Sequence, residues 1–432
     1  MRQTRCILNR VGAADSCICS KSTSPREGFS PRIFLSLGSW LLVSLASAHA
    51  QGGNPAPAAI DKKVPVIELS GNGFQRGFQH GRQLKAEIAA VLLKRKENAK
   101  LQNVKDLDLL IEEFLNAVDF EPAIKKWTPE LLAEVRGIAA GAGQPFRLMF
   151  AFQLGDEFWV YLDKLENIKL HSCSSIGVAA GAGRPATIAQ NMDIENFLNG
   201  HQVLLHAAAT KNEPEQYILS CPGLIGLTGM NAKGIGICAN SLIELQASPR
   251  GLPVAFVVRG MLSKSNGPDA LAFIKKVPHA SGQNYIIGVG DNVYDFEASS
   301  GQVVPFVPQG AANGVVYHTN HALANHDVKD WYKEYHQKII TGVIKKRNTV
   351  VRFASLQARL NGAAADITPD VIKAALRSKD HDTHPVCAPI KEGDPIFTFS
   401  SVFFALGGKR SVQLTYGPPD EAEYHEHFFK EQ

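Results

Sequence analysis

The chain has 432 residues, 45% hydrophobic and 20% charged, enough for a large core in one big domain or two ordinary ones. Its formal charge of +4 comes from the leading segment. Residues 1–50 hold six of the 45 bases and two of the 41 acids, and the remainder is balanced. A balanced chain presents no phosphate-tracking surface, so nucleic acid is excluded as the expected partner.

In chain order, residues 33–46 are an apolar run with Arg26 and Arg32 ahead of it and Ala48-His49-Ala50 behind. A basic flank, a short apolar segment and small residues at alternate positions predict an export signal over residues 1–50, and hence a periplasmic or secreted protein. The run is too short and too serine-rich to favour a stable membrane span. Residues 51–63, rich in Gly, Pro and Ala, read as a linker. Residues 64–69 form a short strand. A helix then runs from 71 to about 100, with Gly77 and Gly81 four apart, so one face is bare enough for close packing. His80 between them reads as a polar helix-face residue. Amphipathic helices follow at 107–118 and 129–140. The second opens with Thr128 as cap and Pro129 in the first turn, and ends at Gly141-Ala142-Gly143. A helix over 147–165 completes a mainly helical segment, 64–172.

From 174 the character changes. Strand-like runs recur at 174–180, 186–191, 202–209, 216–220, 224–230 and 235–240. Helices at 253–264 and 268–276 and strands at 284–289, 293–298, 302–306 and 314–318 come next. Helices at 324–345, 347–360 and 368–377 precede closing strands at 397–405 and 410–415. Strands in hairpin order, interrupted by helix pairs, predict an α+β fold of two antiparallel sheets with helices outside.

Four cysteines lie beyond the leader: Cys173, Cys221, Cys238 and Cys387. None forms a CxxC pair, so no metal site is expected. His318 and His321 lack a carboxylate at useful spacing and read as exposed or satisfied histidines. Asp380-His381-Asp382-Thr383-His384 reads as a polar loop after a helix. The informative stretch is His171-Ser172-Cys173-Ser174-Ser175, which opens a short apolar strand. A Gly181-Ala182-Gly183 turn follows, then a second strand ending in Gln190-Asn191-Met192-Asp193, with Asp193 just past its end. A cysteine in an apolar run is most often core filling. Cys173 becomes a nucleophile if it is released as a new N-terminus, because an α-amino group titrates near pH 8 and serves as base for the thiol of its own residue.

Taken together, the ordered motifs are specific. They are Gly77-Phe78-Gln79-His80-Gly81, Leu131 to Gly141, Cys173-Ser174-Ser175, Gln190-Asn191-Met192-Asp193, Gly223-Leu224-Ile225-Gly226 with Asn231 and Gly234, Gly251-Leu252-Pro253 with Arg259, His318-Thr319-Asn320-His321, Asn348-Thr349 with Arg352, Asp380-His381, and Thr415 to Pro419. In their order and spacing the chain resembles the N-terminal-nucleophile hydrolases of the penicillin acyltransferase (isopenicillin N acyltransferase) family. It is more distantly similar to bile-salt hydrolases, acid ceramidase and N-acylethanolamine amidase.

The resemblance implies a four-layer αββα sandwich, self-cleaved between Ser172 and Cys173. Residues 173–432 would form a catalytic chain that stays with 64–172 in one domain. It implies Cys173 as nucleophile, Asp193 as the acid orienting the new amine and thiol, Asn320 as oxyanion donor and Arg352 as a further site residue. Asn240 and Gln190 fall on recurrent positions and are candidates for oxyanion or substrate binding, and Arg259 is a candidate for a structural role. The implied substrate is a small-molecule acyl amide or acyl thioester, with no cofactor. Two departures stand out: Ser172 where the family usually has Gly, and Met192 where an aromatic residue is frequent. Gln190 replaces an arginine of the bile-salt and ceramidase branches. The competing reading is a catalytically silent exported binding protein on the same fold; a disulfide-stapled secreted domain is a third.

Overall fold

The computed structural model describes residues 61–163, 172–341, 348–362, 364–391 and 393–430, all within one unit, Ala56–Gln432. The expected export segment, most of the linker and His171 lie outside the described residues. The first part holds β1 (Val66–Leu69) and seven helices: α1 (Gly73–Gln83), α2 (Lys85–Leu101), α3 (Leu107–Ala117), α4 (Glu121–Trp127), α5 (Pro129–Ala142), α6 (Phe146–Phe152) and α7 (Gly155–Asp163). Then come β2 (Ser174–Val178), β3 (Thr187–Glu195), β4 (Val203–Ala207), β5 (Gln216–Ser220), β6 (Thr228–Asn231) and β7 (Ile235–Ser241). They are followed by α8 (Val254–Leu262) and α9 (Gly267–Lys276). Strands β8 (Gln283–Val289), β9 (Asn292–Ala298), β10 (Val303–Pro305) and β11 (Val315–His318) precede α10 (Asp330–Ile340), α11 (Asn348–Leu360) and α12 (Pro369–Leu376). Finally β12 (Ile396–Ala405), β13 (Ser411–Thr415) and β14 (Tyr424–Phe428) close the chain.

Two sheets form. One runs β1-β4-β5-β6-β7-β8-β9-β10, the other β11-β2-β3-β12-β13-β14. Three apolar clusters sort the layers. Ile88, Phe114, Ile138 and Phe256 pack against Leu205, Ile218 and Ile287 on the outer face of the larger sheet. Ile188, Leu204, Ile286 and Val402 fill the space between the sheets. Ile176, Val178 and Phe403 meet Leu356, Ile372 and Leu376 on the outer face of the smaller sheet. The result is the αββα order that the resemblance implied. One pairing departs from the antiparallel expectation: β1 adds to β4 in parallel, with Val66 opposite Leu204.

The glycine spacing on α1 has the consequence expected of it. A Cβ on Gly73, Gly77 or Gly81 would stand 1.9, 1.8 or 2.2 Å from a carbonyl oxygen of α5, and Gly137 and Gly141 answer from the other helix. The two helices therefore touch backbone to backbone. Arg76 of α1 and Arg259 of α8 converge on Glu134 of α5, with N–O distances of 2.9–3.1 Å, and Arg259 also donates to the Ile225 carbonyl at 2.6 Å. All three charged side chains are fully buried. Arg259 thus ties helices together and does not line the cavity described below.

Several boundaries differ from the sequence reading. The helix expected over 71–100 breaks at Leu84, whose backbone leaves the helical region at φ −111°, ψ 27°. The helix expected over 147–165 breaks at Gln153-Leu154, where the Gln153 side chain bonds the Gly223 carbonyl and the Ile225 amide. Thr128 makes no side-chain cap; its hydroxyl turns back to the Ile124 carbonyl. The strand expected at 224–230 starts at Thr228, and α10 starts at Asp330, after the loop that expectation placed in the helix. Two elements were missed: α4 is too short for periodicity to register, and β14, Tyr-His-Glu-His-Phe, carries little apolar signal. His80 is not a surface polar residue: it is fully buried and accepts from the Gly223 amide at 2.9 Å.

The helix seam sets the first prediction. In Gly77→Ala the added methyl meets a carbonyl that cannot rotate away, so the helices must separate. The expected cost is about 1–3 kcal/mol or more, read as a lower urea midpoint. Glu134→Gln, which leaves two buried guanidiniums short of their counter-charge, is expected to cost about 3–5 kcal/mol.

Candidate active site

The smaller sheet is built around the β2–β3 hairpin, whose turn places Ala182 and Gly183 at φ 50° and 75°. Cys173 sits immediately ahead of β2. The pairing of Ser174 with Asn191 sets the register. One residue further, Cys173 meets Met192, with the two sulfurs 3.9 Å apart. The thiol also points at the Asp193 backbone carbonyl, 3.7 Å away. Side chains alternate along a strand. Cys173, Met192 and Ile194 therefore join the layer between the sheets, whereas Ser174 and Asn191 face the helices behind.

Neighbouring strands supply the rest. β11 lies beside β2 and delivers Asn320 two residues past its end. Directly behind, Arg352 rises from α11, one turn past its first residue. Its Nη1 donates to the Cys173 carbonyl at 2.6 Å and to the Ser174 hydroxyl at 2.8 Å; its Nη2 donates to Asn320 Oδ1 at 3.0 Å. Its Nε donates to Asn348 Oδ1, one helical turn back, at 2.5 Å. The Asn320 amide group donates to the Ser241 carbonyl at 3.1 Å, and its backbone N–H to the Thr349 hydroxyl at 2.7 Å. A single buried guanidinium thus joins Cys173 to Asn320.

Asp193 lies inside β3, not beyond its end, because β12 pairs with β3 as far as Glu195. Thr398 of β12, directly opposite, donates its hydroxyl to Asp193 Oδ1 at 2.7 Å. Oδ2 is buried with no hydrogen-bond partner. Burial pushes this carboxyl up to about 7, against the Thr398 hydrogen bond and the Arg352 charge. Burial, then the nearby Asp193 charge, also pushes the Cys173 thiol up. Both groups therefore lie in an environment that disfavours charge.

A cavity of about 180 Å³ opens from Cys173. Phe152, Phe158, Leu162, Ile194, Leu224 and Val258 give it a mainly apolar wall, and Asp156, Ser241 and Gln283 line it as well. Asp156 accepts from the Ser241 hydroxyl at 2.5 Å and from the Gln283 amide at 2.8 Å. Asp156, Gln283 and Thr398 were not singled out from sequence. Only their placement on neighbouring elements brings them here. Gln190 and Asn240 lie elsewhere. Gln190 donates to the Ala239 carbonyl at 2.5 Å and to Asn240 at 3.1 Å, and Asn240 donates to Asn284 at 2.8 Å. Both side chains belong to a buried polar layer between the sheets and are not among the cavity-lining groups.

The histidines are satisfied internally: His318 bonds Glu297 and the Thr319 carbonyl, and His321 meets Thr349. Asp380 pairs with Arg359 on the surface. The four described cysteines are free and buried, so no disulfide staples them. Among the described residues no cluster of His, Cys, Asp or Glu is arranged to hold a metal ion, and no helix is long and apolar enough to cross a membrane.

These features resemble those of the acyltransferases and amidohydrolases of the N-terminal-nucleophile class. The particular resemblance is to the penicillin acyltransferases: residues 180–352, which contain Asp193, Asn320 and Arg352, match the family model described as acyl-coenzyme A:6-aminopenicillanic acid acyl-transferase. The chain is 23% identical to the 40 kDa form of acyl-coenzyme A:6-aminopenicillanic-acid-acyltransferase of Emericella nidulans, over 81% of this chain and 92% of that protein. It is 25% identical to protein dcd1B of Dictyostelium discoideum, over 53% of this chain and 48% of that protein. Among solved structures it is similar to a mutant of the conjugated bile acid hydrolase from Clostridium perfringens, 11% identical with TM-score 0.35 over 60% of this chain and 97% of that one. Penicillin V acylase from Agrobacterium tumefaciens is 14% identical, with TM-score 0.31 over 56% and 82% of the two chains.

The Asp193 environment sets a pH prediction. A carboxyl raised from 3.8 to about 7 on folding binds more protons in the folded state between those values. Its contribution to stability is therefore greatest below pH 4 and is lost as pH rises to about 7. In a Cys173→Ala background, adding Asp193→Asn should raise the urea midpoint at pH 8, and the gap should close towards pH 4.

Proposed function

We propose that the chain is an autoproteolytic cysteine acyltransferase or amidohydrolase acting on a linear acyl amide or acyl thioester, with Cys173 as nucleophile. The observation that carries this reading is the clamp at Cys173. Its thiol faces an apolar cavity, while its carbonyl is held by the same guanidinium that holds Asn320.

Maturation begins when the Cys173 thiol adds to the Ser172 carbonyl carbon. The Ser172–Cys173 C–N bond breaks and leaves a thioester and a free α-amine. Water then hydrolyses the thioester to the Ser172 carboxylate and restores the thiol. Ser172 tolerates a strained turn less well than the glycine usual in this family, so this step is expected to be slower here. The partnerless Asp193 Oδ2 lies where the hairpin register sets Asp193 opposite position 172, next to the new amine. A carboxylate there favours the ammonium form.

In turnover the α-amine takes the thiol proton and the thiolate adds to the substrate carbonyl. The Asn320 amide, released from the Ser241 carbonyl, and a backbone N–H stabilise the oxyanion. The α-ammonium passes its proton to the leaving amine as the C–N bond breaks. Water, or an acceptor amine, then attacks the Cys173 thioester, its proton returning to the α-amine. These steps use no metal or cofactor. The two cleaved chains stay together through the Arg76–Glu134–Arg259 cluster and the β1–β4 pairing, both of which join residues before 172 to residues after it. Residues 1–50 act as the export signal, so the mature protein is periplasmic or secreted and begins near Gln51.

On a denaturing gel the purified protein should run as two chains, the smaller ending at Ser172, and Cys173→Ala as one. Asn320→Ala should lower kcat by about 100- to 1,000-fold. A single uncut chain with an unreactive Cys173 would favour the silent binding protein instead.

A further inference from the structure

The cavity that opens from Cys173 has one wall of a different character. Arg95 and Asn98 of α2 stand three residues apart and share a helix face, Gln102 caps the C-terminus of that helix one turn on, and all three line the cavity. Among the described lining residues Arg95 is the only cation. Its guanidinium carbon lies 5.7 Å from the Phe152 ring centre and 5.5 Å from that of Phe158. Those rings fix the group in place but satisfy none of its five N–H donors. Nη1 is sealed from solvent and has no hydrogen-bond partner.

Other carboxylates do not fill that role. Asp156 is committed to Ser241 and Gln283. Glu195, also on the cavity wall, accepts from the Trp159 indole at 3.1 Å; it attracts Arg95 through space but makes no hydrogen bond to it. An arginine held on aromatic faces inside an apolar cavity, with a buried N–H left over, is a poor stabilising element and a good anion receptor. A planar carboxylate matches its fork.

Resting on the reading of Cys173 as an acyl-transfer nucleophile, we propose that the substrate carries a carboxylate which Arg95, flanked by Asn98 and Gln102, binds within the apolar cavity. The acyl amide is thus anionic. Its carboxylate sits either on the leaving amine, as in an N-acyl amino acid, or at the far end of the acyl chain, as in the monoamide of a dicarboxylic acid.

Two matched pairs of probes separate these sources: N-decanoylglycine against N-decanoylglycinamide, and the N-ethyl monoamide of sebacic acid against its methyl ester. The mature protein should prefer the acid of one pair over its neutral twin in kcat/KM. Arg95→Met should shrink that preference by at least 10-fold, through KM, and Arg95→Lys should restore part of it. The pair that shows the preference identifies the end bearing the carboxylate. Arg95→Met should not lower the urea midpoint, as it would if Arg95 were a structural residue.

Equal turnover of both twins in both pairs, or a preference that survives Arg95→Met, would overturn the proposal. If no probe is turned over and none acylates Cys173, the amidase reading falls, and calorimetry with the two acids still decides the Arg95 site. Binding lost in Arg95→Met sustains it, and binding absent or unchanged rejects it.

Discussion

The candidate site depends on one buried guanidinium. Arg352 donates to the Cys173 carbonyl, the Ser174 hydroxyl, Asn320 and Asn348. These acceptors come from the head of β2, the loop after β11 and the start of α11, three segments far apart in sequence. A charge this deep is tolerated only when its donors are well satisfied, so the segments must meet in one geometry for the chain to fold. That constraint fixes where the Cys173 backbone lies before any chemistry begins. Arg352 is therefore best understood as the residue that positions the head of β2 relative to Asn320.

A second buried charge cluster does the same for the helical half. Glu134 lies between Arg76 and Arg259, and the bare glycine faces of α1 and α5 bring the helix backbones into contact beside it. These features, together with Gln153 bonding the 223–225 loop, settle α5, α6 and α7 on the larger sheet. α6 and α7 in turn contribute Phe152, Asp156 and Phe158 to the cavity. The helical segment thus builds part of the cavity wall as well as covering the sheet.

Much of this was legible in the sequence. Periodicity located most helices, and short runs bounded by turn residues located most strands, which lie buried on both faces between the other sheet and the helices. The glycine spacing in α1 announced close packing, and the family motifs pointed to Cys173, Asp193, Asn320 and Arg352. What could not be read depends on pairing between distant strands and on what fills the space between them. Asp193 is a strand residue only because β12 lies alongside it, and Thr398 reaches it for the same reason. Gln190 and Asn240 fall at suggestive positions, yet strand alternation turns both into the inter-sheet layer, where they bond each other. Arg95 was not singled out from sequence; its buried N–H without a hydrogen-bonding partner is visible only once Phe152 and Phe158 stand against it.

The parallel addition of β1 to β4 has a consequence for aggregation. β1 closes one margin of the eight-stranded sheet, and it comes from the segment ahead of Cys173. Without that segment, β4 would present a row of unpaired N–H and C=O groups, a template for sheet-to-sheet aggregation. The segment ahead of Cys173 therefore supplies the strand that shields β4 from outside partners.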